Sequence, residues 1–218
     1  MRWDRGGGMH MELRVTGEGA DSYEEVMLIY NGALRQIQTK LNILNEEFQH
    51  VHIYNPIEHI KARLKTPESI VKKLRRHGYE STLENMVKYC NDIAGVRIIC
   101  DFTSDIYKIA DMISNQSDIR ILAIKDYLVN PKPSGYKSYH MIVTVPVYLS
   151  DRIVDTKVEI QIRTIAMDFW ASLEHKIQYK FTKEVPSSIA EELLECAHMV
   201  SDLDEKMLSL NNEIQEIK

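Results

Sequence analysis

The 218-residue chain has no apolar run of 18 residues or more, so no segment reads as a membrane-spanning helix. Its N-terminus carries charges and three consecutive glycines, Gly6, Gly7 and Gly8, but no apolar stretch of a secretory signal. Cysteine is scarce. Cys90, Cys100 and Cys196 are odd in number and show no CxxC spacing. This excludes a disulfide framework and a cysteine zinc site, and points to buried thiols in a reducing, cytoplasmic compartment. Ready-made catalytic signatures are missing too: no GxxxxGK[ST] phosphate loop, no HExxH pair, no GxSxG elbow and no protein-kinase set. An excess of positive charge is also lacking. The net charge of -5 argues against general binding of duplex nucleic acid.

What is present is unevenly spread. Between Lys61 and His77 stand Lys61, Arg63, Lys65, Lys72, Lys73, Arg75 and Arg76, with Glu68 as the only acid. Between Glu184 and Ile217 the balance reverses and Lys206 is the only Lys or Arg. A local cationic stripe on an anionic chain suits a small polyanionic ligand better than a long polymer.

Residues 1–22 carry several glycines without a period and read as a flexible leader. Tyr23 to about Val51 follows helical spacing, and Tyr54-Asn55-Pro56 breaks it. Thr66-Pro67 looks like an N-cap followed by proline at the first helical position, with Gly78 at the end of that helix. Ser69, Lys73 and Arg76 then share one helix face. A short helix is expected over Leu83–Cys90, a turn into a strand over Asp92–Cys100, a helix over Ser104–Ser114 and a strand over Ile119–Ile124. Asn130 to Gly135 is a loop by composition. Strands follow over Tyr139–Val147 and Val158–Arg163, then a helix over Ala166–Phe181. The order α-α-α-β-α-β-β-β-α-α gathers the strands in the middle and predicts one α+β domain.

Three stretches could carry chemistry. In Lys157 to Thr164, Val158, Ile160 and Ile162 alternate with Lys157, Glu159, Gln161 and Arg163. Alternation alone signals a half-buried strand, but this polar face sets an acceptor, an amide and two cations on rigid scaffold, as a metal-bound phosphate requires. The second stretch is the cationic helix. The third, Ser134-Gly135-Tyr136-Lys137-Ser138-Tyr139-His140, combines glycine, hydroxyls, a cation and aromatics, and reads equally as a simple turn or as a phosphate contact with a base-stacking platform.

The motifs Asp92-Ile93-Ala94-Gly95-Val96-Arg97, Ser134 to His140, Val158 to Thr164 and Trp170-Ala171-Ser172-Leu173-Glu174-His175 occur together and in order. In this the chain resembles the RelA/SpoT-type (p)ppGpp synthetase domain over about Ile29 to Met207, and in length the stand-alone small alarmone synthetases. The resemblance implies a nucleotidyltransferase-like mixed β-sheet flanked by helices. It implies transfer of the β,γ-pyrophosphoryl group of ATP to the 3′-hydroxyl of GDP or GTP, with release of AMP. By similarity Asp92 and Glu159 hold Mg²⁺, and Glu159 also receives the hydroxyl proton. Arg63, Lys65, Ser69, Lys73 and Arg76 match the ATP-phosphate cluster, and Arg63 with Arg97 match a pair that sandwiches adenine. Tyr136 matches the residue that stacks on the acceptor guanine. Lys137, Ser138, His140, Gln161, Arg163, Asp168 and Glu174 surround that acceptor on the same reading. Position 137 is Lys where Arg also occurs, a point charge in place of a bidentate fork. No His is followed by Asp, so the hydrolase domain of the bifunctional members is not expected, and synthesis without hydrolysis is.

The last helix differs from the rest. Leu193, Cys196, Val200, Leu203, Met207, Leu210, Ile214 and Ile217 repeat in steps of three and four, a seam of more than three heptads that needs a partner. The expected organisation is a leader over 1–22, a synthetase domain over 23–185 and an oligomerisation helix over 186–218. The seam predicts a homo-oligomer held partly by this helix, the alternative being a monomer in which it folds back on the helix from Val26 to Phe48; the resemblance implies four subunits, and single-stranded RNA or an alarmone is the expected regulator. Two other readings compete with the pyrophosphokinase. One is a catalytically inactive relative that binds nucleotide or RNA. The other is a nucleotidyltransferase that releases pyrophosphate, not AMP.

Overall fold

Helix α1, Tyr23–Val51, is the scaffold on which the sheet is laid. Ser22 caps it by accepting a hydrogen bond from the Glu25 amide at 3.2 Å. Its buried stripe of Val26, Ile29, Tyr30, Ala33, Leu34, Ile37 and Leu41 has the period of a helix pressed on one side. The structure is a computed structural model and describes residues 22–180 and 186–217. The expected leader, Ser22 apart, and the expected end of the fifth helix at Phe181 lie outside the described residues.

Five strands form one sheet: β1 Ile57–Leu64, β2 Ala94–Cys100, β3 Arg120–Asp126, β4 Tyr139–Tyr148 and β5 Ile153–Thr164. The order across the sheet is β1-β2-β5-β4-β3. β2 and β5 run parallel, and the other neighbours are antiparallel, so the sheet is mixed. The remaining helices are α2 Pro67–Arg76, α3 Leu83–Tyr89, α4 Thr103–Ser114, α5 Ile165–Lys180 and α6 Ser187–Ile217. The α+β expectation holds, and the expected elements appear with shifted ends.

One element was not expected. The alternation of β1 is interrupted by a register shift between Ile57 and His59, so its sequence carries no clear strand signal. Beyond that shift Ile60, Ala62 and Leu64 are half-buried while Lys61 and Arg63 are exposed. The cations were legible in the sequence, and the strand that carries them was not.

The two faces of the sheet have opposite character. On one, Val158, Ile160 and Ile162 of β5 are fully buried beside Ala94, Val96 and Ile98 of β2 and Met141, Val143 and Val145 of β4. Helices α1 and α4 cover this face, α4 with Ile106, Ile109 and Ile113. Each such Ile or Val contributes about 1.5–3 kcal/mol by burial. On the other face the register lines up one polar row and one mixed row. Lys61, Arg97, Gln161, His140 and Lys125 form one row across all five strands. Arg63, Gly95, Glu159, Ile142 and Ala123 form the next.

Helix α6 lies against α5 and α4. The side it turns to its own chain is not the expected seam. The side turned to its own chain carries Leu193, Ala197, Val200, Ser201 and Asp204, with Ala197 and Asp204 buried. Most of the expected seam, including Leu203, Met207, Leu210 and Ile214, is exposed. Cys90 and Cys100 are buried thiols as expected, but Cys196 is exposed, because it sits about 100° round the helix from Ala197.

Candidate active site

The lysine-bearing end of the polar face is built where β1, α2 and β2 meet. Thr66 caps α2, accepting from the Ser69 amide, and Ile70, Val71 and Leu74 anchor the helix in the core. That fixes Lys73 above the sheet. The Lys65 amide donates to the Ile93 carbonyl at 2.8 Å, which draws the residue after β1 to the residue before β2. Both lysines then converge on one carboxylate: Lys65 Nζ lies 2.6 Å from Asp92 Oδ2, and Lys73 Nζ lies 2.7 Å from Asp92 Oδ1. Burial pushes the Asp92 carboxyl up, but the hydrogen bonds and charges of the two lysines outweigh it and hold the group below its ordinary value.

Beside this clamp a pocket of about 160 Å³ opens over β1, β2 and β5. Asp92, Glu159, Arg63, Arg97, Gln161 and Lys61 line it. Gly95 lies at its centre, between Arg63 and Glu159 in the register. A Cβ added there would meet nothing closer than two backbone oxygens at 4.0 Å, so packing does not demand glycine. The missing side chain instead leaves the floor open. The Arg97 Nε donor is buried and has no hydrogen-bond partner among the described residues.

The other end of the polar face, around Tyr136, is a closed network. Glu159 Oε2 accepts from Gln161 Nε2 at 2.8 Å, and His140 Nδ1 lies 3.6 Å from Glu159 Oε1. Burial raises the Glu159 carboxyl, yet its contacts with His140 and Gln161 prevail and lower it. His140 Nε2 is 2.9 Å from the Tyr136 hydroxyl, which accepts from Arg163 Nη2 at 2.6 Å. Arg163 is 4% exposed, and such a buried cation must be paired. It donates to Asp168 at 3.0 Å, Gln161 at 3.1 Å and Ser138 at 3.3 Å. Asp168 Oδ1 also accepts from Arg97 Nη1 at 2.9 Å, joining the two ends.

The structure thus brings Arg63, Lys65, Lys73, Asp92, Arg97, Tyr136, Ser138, His140, Glu159, Gln161, Arg163 and Asp168 together. Others stand apart. Ser69 and Arg76 are exposed on α2. Glu174 is half-buried on α5 and acts electrostatically on Lys132. Lys137 leaves the site altogether: neighbours alternate in extended chain, so with Tyr136 and Ser138 turned inward its ammonium reaches Ser201 on α6. Sequence reasoning missed Tyr127 and Lys132. Lys132 Nζ stands 4.5 Å from the Tyr136 ring centre and 5.0 Å from that of Tyr127, cation–π geometry across a loop that composition marked only as a turn.

Among the described residues no group of three His, Cys, Asp or Glu side chains forms a ready metal cage. Asp92 and Glu159 nevertheless line one pocket. Two carboxylates suit a magnesium ion completed by water and phosphate oxygens, not one held by protein alone.

Residues 62–184 match the family described as the region found in RelA / SpoT proteins. The chain is 49% identical over 194 residues to the GTP pyrophosphokinase YwaC of Bacillus subtilis, covering 89% of this chain and 92% of that one. It is 34% identical to the GTP pyrophosphokinase YjbM of the same organism, over 89% of this chain and 90% of that one. The crystal structure of small alarmone synthetase 2 from Bacillus subtilis matches with a TM-score of 0.80 at 48% identity, over 88% of this chain and all of that one. Small alarmone synthetase 1 bound to its product pppGpp matches at 0.82 and 33% identity, over 88% of this chain and 98% of that one. A mixed sheet whose polar face joins a lysine-clamped carboxylate to a tyrosine platform, on a sequence this similar, makes the chain a member of the RelA/SpoT family.

Proposed function

We infer that this chain is a GTP pyrophosphokinase, transferring the β,γ-pyrophosphoryl group of ATP to the 3′-hydroxyl of GDP or GTP to give (p)ppGpp and AMP. The observation that carries the reading is the shared polar face. A cationic pocket suited to a polyphosphate and an aromatic platform suited to a base flank one carboxylate, Glu159.

In this reading Arg63 and Arg97 take the adenine, and Lys65 and Lys73 the ATP phosphates, with Ser69 and Arg76 at the outer end of the cluster. Tyr136 stacks on the guanine, and Ser138, His140, Gln161, Arg163, Asp168 and Glu174 surround the acceptor. Asp92 and Glu159 would hold Mg²⁺, which neutralises phosphate charge when bound. The 3′-oxygen bonds to the β-phosphorus. The bond from that phosphorus to the α–β bridging oxygen breaks, and AMP leaves with that oxygen. Glu159 takes the hydroxyl proton. Its lowered pKa keeps it anionic at neutral pH, so its part is to orient the hydroxyl and receive the proton late. Positioning and charge compensation do the rest.

The oligomer is part of the proposal. The exposed apolar side of α6 packs on other copies, and four copies make the assembly, with single-stranded RNA or an alarmone as regulator. The compartment is the cytoplasm; among the described residues no helix is long and apolar enough to cross a membrane. Leu210→Asp with Ile214→Asp should lower the mass seen by light scattering; an unchanged mass moves the interface elsewhere.

The reaction is tested by incubating the full chain with ATP, GDP and Mg²⁺. AMP and ppGpp in equal amounts are expected. Pyrophosphate in place of AMP assigns a nucleotidyl transfer, and tight nucleotide binding without product assigns an inactive binding relative. Purified ppGpp should survive incubation with the chain, with Mn²⁺ or without.

A further inference from the structure

The loop bearing Tyr136 rests on α6, not on the main core. Trp170, Ala171 and Ala197 form a second buried cluster, with Tyr136, Leu193 and Val200 packed around it. The Trp170 indole donates to the Leu193 carbonyl at 3.0 Å, which ties α5 to α6. Gly135, next to the platform, has φ 83°, the left-handed region that favours glycine. A Cβ there would stand 2.5 Å from the Ala197 Cβ and 3.1 Å from Leu194 Cδ1. The loop and the helix therefore touch backbone to side chain, without room for a methyl group.

A polar tether runs beside this contact. Lys137 Nζ donates to Ser201 Oγ, and its charge acts on Asp204 one turn further along α6. Asp204 Oδ2 accepts from Thr164 Oγ1 at 2.7 Å, and Thr164 Oγ1 accepts from the Met167 amide at 3.1 Å. Asp204 is 7% exposed and Thr164 is fully buried. Thr164 follows Arg163, which donates to the Tyr136 hydroxyl, and Met167 precedes Asp168, which accepts from Arg163. One chain of contacts thus leads from the tyrosine loop through α6 back to the end of β5 and the start of α5.

We propose that Lys137, Ser201 and Asp204 are positioning residues for the acceptor nucleotide, and that α6 is the back wall of the Tyr136 platform. This rests on the pyrophosphokinase reading above and assigns Lys137 to α6 in place of the acceptor phosphates. The tether holds the loop at the depth where Tyr136 meets both the guanine and Arg163. Its loss weakens acceptor binding and leaves the donor pocket, built from β1, α2 and β2, unchanged.

Steady-state kinetics on the full chain test this, with ATP and GDP each varied at saturating partner and then GTP in place of GDP. Lys137→Met, Ser201→Ala and Asp204→Asn should each raise the acceptor KM, Lys137→Met by about ten- to a hundredfold, the size of one lost charge-assisted hydrogen bond. GDP and GTP should be affected equally, and the KM for ATP should stay at the wild-type value. Lys137→Arg should restore function. The double variant Lys137→Met/Ser201→Ala should be no worse than Lys137→Met alone, since both break one contact. An impaired Lys137→Met with Ser201→Ala and Asp204→Asn at wild-type KM overturns the proposal and returns Lys137 to the phosphates. So does strict additivity in the double variant, or an ATP KM that rises with the acceptor KM. A wild type without turnover overturns the assigned reaction, so the two failures are told apart. Ser201→Ala, the mildest change, keeps the test valid if Asp204→Asn does not fold.

Discussion

The two ends of the polar face are built on opposite plans. The donor end is open. Its pocket exists in the free chain, its floor lacks a side chain at Gly95, and a buried donor on Arg97 has no partner among the described residues. The acceptor end is satisfied within itself. Tyr136, His140, Gln161, Arg163 and Asp168 bond to one another, and cations stand near the Tyr136 ring from Lys132 and from Arg163, the latter 5.0 Å away. The difference teaches which side is ready. On the proposed assignment a polyphosphate enters a preformed cationic pocket, whereas a guanine exchanges with contacts the protein already makes.

Substitutions can break or sharpen this contrast, beginning with the group both ends share. Glu159→Gln keeps the shape of β5 and removes the charge needed by metal and hydroxyl alike. It should lower kcat by about a thousandfold or more while circular dichroism stays unchanged; activity within about tenfold of wild type would sink both roles assigned to Glu159.

Filling the open end comes next. In Gly95→Leu the added Cβ meets nothing closer than two backbone oxygens at 4.0 Å, so the melting temperature should hold, but the side chain fills the pocket over β1, β2 and β5 that is proposed for ATP. The KM for ATP should rise by about a hundredfold, as for a lost subsite, with acceptor KM little changed. A variant that binds ATP normally shows that the pocket over β1, β2 and β5 is not the donor site. Tyr136→Ala probes the other end. Loss of an aromatic platform costs about 1–3 kcal/mol per stacked base, seen in the acceptor KM and not in that for ATP. A larger shift in the ATP term exchanges the two pockets.

The smallest effect is one of pH. Asp92 and Glu159 both have lowered carboxyl pKa values in the fold. Such groups add stability that is complete above their ordinary values of 3.8 and 4.5 and is lost as pH falls through the lowered ones. Asp204, raised chiefly by burial, runs the other way, since folding favours its protonated form. Melting curves should therefore show little change from these two site carboxylates near neutrality and a decline below about pH 4. Asp92→Asn should make that decline shallower; an equally steep decline in the variant removes Asp92 as its source.

Much of the site could be read from the chain because its carriers are regular. The alternation in Val158 to Arg163 already separated a core face from a polar one. Thr66-Pro67 placed Lys73 on a helix, and the order of motifs supplied the rest through family resemblance. Lys137 could not be read that way, since a motif gives identity and not direction: within three residues of one loop the chain serves two surfaces. Tyr127 and Lys132 were illegible for a related reason. They meet Tyr136 only because β3 and β4 pair, and nothing in the local composition states that pairing.

What the sequence determined by itself is whatever depends on near neighbours: helix caps, the two-residue period of β5, the acidic flank of the last helix, and which residue types are available for phosphate and base. What the tertiary structure alone decided is which of those residues face each other. It set Gly95 beside Glu159 through a parallel pairing across 64 residues, and hid β1 behind a bulge. It also turned Leu193, Ala197, Val200 and Asp204 of α6 to the chain while exposing the more regular apolar seam. The physical reason is that periodicity specifies a face but not its partner. The partner is chosen by the total area and polar groups that can be satisfied at once, and that sum exists only when the whole chain is folded.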